Sequence, residues 1–149
     1  MAARTGGVID AHDADPARMK DLPPRAARAG AQIRTIDAPG GPYDLVLCDA
    51  PCSGSGSWRR APEGKWRLAA DGLARLLETQ SAILRDAAAC VAPGGVLAYA
   101  TCSVLKPEND ERIADALAAL PGWTLTQRRQ FLPSDGGDGF FLACLQAPS

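Results

Sequence analysis

Aromatic side chains make up only 5% of the 149 residues, and there is a single histidine, His12. The five cysteines include no CxxC pair. The one CxxxC spacing, Cys48 to Cys52, lacks the second ligand pair that a zinc site needs, so no metal is expected. No apolar run approaches the ~18 residues of a membrane span, and the opening residues do not read as a signal peptide. With an odd cysteine count, these absences point to a reducing, cytoplasmic setting without membrane attachment. A net charge of −1 gives no overall signature of nucleic-acid binding, so any such surface must be local. What is present is ordinary for one globular domain: 46% hydrophobic and 22% charged residues.

Strand-like and helix-like segments alternate along the chain. Gly7–Ala11 reads as a strand and Pro16–Ala29 as a helix, capped by Asp15 and kinked or split by Pro23-Pro24. Gln32–Ile36 and Asp44–Asp49 read as strands, followed by a long loop to about Arg67. Leu73, Leu76, Leu77, Gln80, Ile83, Leu84 and Val91 recur at helical spacing, and Pro93-Gly94-Gly95 is the expected stop. Val96–Ala100 is the next strand. Pro107 opens another helix with Glu108, Asp110 and Glu111 in its first turn, where the helix dipole favours negative charge. Two last strands, Trp123–Gln130 and Gly139–Gln146, flank the turn-rich Ser134–Gly137. The expected class is α/β, a mostly parallel sheet with helices on both faces.

Two strand ends carry thiols. Asp49-Ala50-Pro51-Cys52 follows Leu45–Cys48, and Thr101-Cys102-Ser103 follows Val96–Ala100. Open α/β sheets gather their ligands at such ends. Taken singly, either cysteine reads as a buried structural thiol, as Cys48, Cys90 and Cys144 do. Two together, beside Asp49 and the small-residue loop Ser53–Ser57, suggest thiolate chemistry on an electrophilic ring. Asp13 and Asp37 also follow strands. Each is either a turn carboxylate or an acceptor for a nucleotide's sugar hydroxyls or amino group. Trp58, Arg59, Arg60, Lys65, Trp66 and Arg67 form the one basic stretch. It is either a surface for phosphates and a stacked base, or a solvated loop with its indoles folded onto the core.

At these residues the chain resembles the RNA (cytosine-5) methyltransferases of the NOL/NOP/Sun type. The resemblance runs from about Gly7 to Leu145. It is most specific at Asp49–Gly56, at Tyr99–Ser103 with Glu108-Asn109, and at Gly137–Phe141. It implies a Rossmann-like S-adenosylmethionine-dependent methyltransferase sheet and methylation of carbon 5 of cytosine in RNA, ribosomal RNA above all. Position by position, it implies that Cys102 adds to carbon 6 of the base and that Cys52 helps resolve the adduct. Asp13 and Asp37 would hold the donor's ribose and adenine, and Asp49 would face both donor and target base.

One departure matters. The family's glycine-rich donor loop, on the first strand and its following helix, has no counterpart here, because Met1–Gly6 leads directly to the second strand at Val8. The resemblance therefore implies that residues 1–149 are a single catalytic domain lacking that strand, with an amino-terminal methyltransferase segment missing. Two alternatives stay open. One is an amino-group methyltransferase, which has no need of Cys102; the other is an inactive RNA-binding fragment, which donor binding would exclude.

Overall fold

The chain divides into two units, one ending at Gly40 and one beginning at Gly41. A computed structural model describes residues 6–149, so Met1–Thr5, most of the segment standing where the family has its glycine-rich loop, lie outside the described residues. In the first unit, β1 (Val8–Ala11) pairs in parallel with β2 (Gln32–Thr35), Val8 opposite Gln32 and Ala11 opposite Thr35. The single helix expected between them is two pieces: a 3-10 turn at Pro16–Met19 and α1 (Leu22–Arg28). Asp15 caps the first piece, its carboxylate accepting from the Ala17 N–H at 3.0 Å. Pro23 and Pro24 fall in the first turn of α1, where a missing N–H costs no helical hydrogen bond. The split therefore comes just ahead of the prolines. Gly30, at φ +62°, ends the helix in the left-handed region.

The second unit contains β3 (Tyr43–Asp49), α2 (Glu63–Arg67), α3 (Ala70–Ala89), β4 (Val91–Thr101), α4 (Asp110–Ala119), β5 (Thr124–Phe131) and β6 (Phe140–Gln146). Its sheet runs in the order β3-β4-β6-β5. Only β3 and β4 are parallel; β6 is antiparallel to both of its neighbours. The sheet is thus mixed rather than mostly parallel. The cause lies in the connections. A long crossover through α3 lets β4 return parallel to β3, whereas the short link 132–139 permits only an antiparallel return.

Two boundaries differ from the expectation. Val91 belongs to β4, opposite Tyr43, and not to the preceding helix. Pro93-Gly94-Gly95 sits inside β4 as an irregularity, because the register jumps from Tyr43↔Val91 to Leu45↔Val96. A Cβ at Gly95 would lie 2.8 Å from the Ala92 carbonyl oxygen, so the kinked strand admits only glycine there. The last helix starts at Asp110, and Lys106–Glu108 forms a separate 3-10 turn.

Alternation along β4 and β6 puts Leu97, Tyr99, Phe141, Ala143 and Leu145 in the core with Leu84 of α3 and Ile113 of α4. Each large side chain buried this way contributes about 1.5–3 kcal/mol. The Tyr99 and Phe141 rings meet edge to face, 6.5 Å between centroids. On β3, at the edge of this sheet, Leu45 and Leu47 remain 39% and 57% exposed.

Candidate active site

The parallel pairing of β3 and β4 brings two loops out side by side. Asp49 stands opposite Ala100, and the ladder continues one step further through Ala50 N–H to the Ala100 carbonyl at 3.0 Å. Cys52 and Cys102 lie two residues beyond that last pair, and their sulfurs come within 3.3 Å. Burial pushes the Cys52 thiol up to about 12. The Gly54 N–H pulls the other way, and the Cys102 sulfur and Glu108 carboxylate add to the rise. Cys52 therefore keeps its proton at neutral pH. Asp49 is exposed at the same strand end, and its carboxylate has no hydrogen bond or ion pair among the described residues.

Beneath the thiols lies a buried polar layer built on Glu108 and Asn109, which the family resemblance marks but to which the sequence assigns no role in the site. Glu108 is fully buried. Its Oε1 accepts from Ser53 N–H at 2.7 Å and Gln80 Nε2 at 3.2 Å. Its Oε2 accepts from the hydroxyls of Ser53 at 2.6 Å and Ser103 at 2.5 Å. Asn109, also fully buried, accepts from the Thr101 hydroxyl at 2.7 Å and donates to the Ser103 carbonyl at 2.9 Å. Glu108 is thus not a helix-end charge facing water, as its place after Pro107 suggested. The available signal was Gln80, a polar residue in an otherwise apolar helical stripe; its amide reaches both Glu108 and the Pro51 carbonyl.

Glycines let the surrounding loops close. Gly56 donates to the Cys102 carbonyl and accepts from Gly139 N–H, both at 2.9 Å, and a Cβ on Gly56 would sit 2.0 Å from the Gly139 oxygen. Arg60 forms a two-pronged ion pair with Asp138, which holds that carboxyl below its ordinary range. The two readings of the basic stretch divide between its indoles. Trp58 is turned inward with its ring N–H buried, whereas Trp66 is 82% exposed with the Lys65 ammonium 5.6 Å from its ring centre. Arg59 is exposed.

In the first unit, Asp13 and Asp37 share a concavity of about 390 Å³ with His12, Lys20 and Thr35. One Asp13 oxygen accepts from Asp15 N–H at 2.8 Å, the turn role, and the other lies 3.9 Å from Arg18. Asp37 is exposed and has no partner among the described residues. Among those residues no group of three or more histidine, cysteine or acidic side chains is placed to hold a metal, and no helix is long and apolar enough to cross a membrane.

The family model of the 16S rRNA methyltransferases RsmB/F matches residues 1–146. The chain belongs to the RsmB/F family. Ribosomal RNA small subunit methyltransferase B of Xylella fastidiosa is 46% identical over 118 residues, 71% of this chain and 27% of that protein. A putative methyltransferase of Mycobacterium tuberculosis, Rv1407, is 40% identical over 120 residues, 80% of this chain and 26% of its own length. The chain thus spans about a quarter of the curated relatives it matches. Among solved structures, PH0851 superposes with a TM-score of 0.85 at 34% identity, covering 93% of this chain and 37% of that one. NSun6 from Pyrococcus horikoshii, solved with SFG, superposes at 0.83 and 22% identity, covering 96% of this chain and 42% of that one, which shows a shared fold. The RsmB/F chain therefore has the mixed α/β fold of S-adenosylmethionine-dependent methyltransferases.

Proposed function

We propose that this chain forms part of a catalytic domain, spanning both units, that methylates carbon 5 of cytosine in ribosomal RNA in the cytoplasm. The observation that carries the reading is the pair of sulfurs 3.3 Å apart at the ends of two parallel strands. Carbon 5 of cytosine is a poor nucleophile. Addition of the Cys102 thiolate to carbon 6 pushes the ring's electron pair onto carbon 5, which then attacks a methyl group. S-adenosylmethionine supplies that methyl as a sulfonium electrophile. Burial holds Cys52 protonated, so Cys52 is unsuited to be the attacking thiolate, and the family resemblance gives that role to Cys102.

After transfer, the carbon 5 proton must leave before the carbon 6–sulfur bond can break and restore the ring. A thiol that keeps its proton cannot accept another, so release through Cys52 requires its own proton to move first. Asp49, unpartnered at the same strand end, is the carboxylate suited to take part. Asp13 and Asp37 suit the donor's ribose and adenine, because their shared concavity offers acceptors and Asp37 has both oxygens free. The open β3 edge, with Leu45 and Leu47 bare, suits pairing with the family's first strand. An amino-group methyltransferase would have no use for the paired thiols.

The test uses the chain joined to a complete family catalytic segment. Cys102→Ala should abolish methylation and give no adduct. Cys52→Ala should accumulate a protein–RNA adduct that survives denaturing gels. Adduct that vanishes with Cys52 and persists without Cys102 would reverse the assignment.

A further inference from the structure

We propose that Glu108 is a positioning residue whose single carboxylate clamps the two thiol-bearing loops in register. The proposal rests on the methyltransferase reading only for the use to which the thiols are put. Ser53 follows Cys52 directly, and Ser103 follows Cys102 directly. Both serine hydroxyls donate to the same oxygen, Glu108 Oε2, at 2.6 and 2.5 Å. The other oxygen takes the Ser53 N–H and the Gln80 amide, which also holds the Pro51 carbonyl just ahead of Cys52. One side chain therefore grips the residue directly after each cysteine, whereas other links between the loops, from Gly56 N–H to the Cys102 carbonyl and through the Ser55 hydroxyl to Ser103 and Val104, lie further along the loop that follows Cys52.

The clamp is itself anchored. The Glu108 carbonyl accepts from the Tyr99 hydroxyl at 2.9 Å, and Tyr99 is fully buried in the core. The next residue, Asn109, ties Thr101 and the Ser103 carbonyl. No cation neutralises Glu108 among the described salt bridges; four donated hydrogen bonds hold it instead. A fully buried carboxylate costs several kcal/mol to desolvate. A neutral serine or asparagine would link the loops with less penalty, but neither offers the two oxygens that accept four donors at once. Glutamine keeps the size and loses this capacity, since its NH₂ would face donors.

The readout is thiol geometry, which needs neither RNA nor methyl donor. Phenylarsine oxide bonds two thiols to one arsenic, with loss of water, only when both sulfurs are held close. The 149-residue chain should bind one equivalent, and Cys52→Ala should lose it. Glu108→Gln, with an unchanged far-ultraviolet circular dichroism spectrum, should bind it about tenfold or more weakly. Ser53→Ala combined with Ser103→Ala, which leaves the carboxylate in place, should weaken it in the same direction and decides the matter if Glu108→Gln does not fold. A purely structural role would lower melting temperature without altering the affinity of the folded variant. Wild-type arsenical affinity in either folded variant would overturn the clamp. Tight arsenical binding beside a failure of the complete enzyme to methylate RNA would instead sink the proposed function and leave the clamp standing.

Discussion

Cys52 and Cys102 sit at matching places beyond the same strand pair. Cys52 is pushed up to about 12, chiefly by burial, so at pH 8 only about one molecule in ten thousand carries its thiolate. A raised thiol value means that reactivity appears only as pH climbs. Iodoacetamide labelling of Cys52, followed by mass spectrometry, should therefore rise about tenfold per pH unit and show no plateau through the ordinary thiol range near ~8.5. A plateau below pH 9 would mean that Cys52 is an ordinary exposed thiol, and the argument against Cys52 as the attacking thiolate would lose its basis. Both cysteines were legible in the sequence because each stands between an apolar strand and a small polar loop. Glu108 was not. An acidic residue after a proline reads as a helix start, and nothing local reveals that Ser53, fifty-five residues earlier, donates to it.

At the level of elements, β3, β4 and β6 were readable because each holds an apolar run with a glycine or proline nearby, whereas β2 and β5 are largely polar and were marked mainly by the turns around them. The misread boundaries share one cause. Val91 continues the helical stripe in sequence, but pairing with Tyr43 outweighs local periodicity, and the Pro-Gly-Gly that looked like a stop is absorbed as a kink within β4. Strand direction was misjudged for a similar reason: alternation of helix and strand signals a parallel sheet until the last pair returns by a short link. The segment 58–67 is a functional element still to be tested. Arg60 is engaged by Asp138, so among the described side chains of the stretch Arg59 and Lys65 are the cations left to meet phosphate. Replacing both with alanine should weaken RNA binding and reduce the slope of log affinity against log salt by roughly one to two, as fewer counterions are released. Melting temperature should hardly change, since exposed substitutions stay within about 0.5 kcal/mol each. A large loss of stability with unchanged RNA affinity would assign the stretch to the scaffold instead.

For the whole molecule, the first expectation concerns the methyl donor. Asp13 and Asp37 suit its sugar and base, but the loop that the family resemblance assigns to the methionine end has no counterpart in this sequence. Methyl transfer depends on placing the sulfonium, and a half-seated donor does not place it. Calorimetric titration of the 149-residue chain with S-adenosylmethionine should show no tight site, and adding the family's glycine-rich strand–loop–helix should create one. Micromolar binding by the chain alone would refute this. The bare β3 edge also bears on how the protein behaves in concentrated solution. Among the described residues of the second unit, no strand pairs with the outer edge of β3 beside Leu45 and Leu47; such an edge is a template on which another copy's strand can add, and such templates seed aggregates. Light scattering should thus show concentration-dependent self-association, and Leu47→Lys should suppress it, because a charge at that position repels its own image across an edge-to-edge contact. In this chain the strand that leads into Cys52 and the strand edge that sets its colloidal fate are the same seven residues of β3.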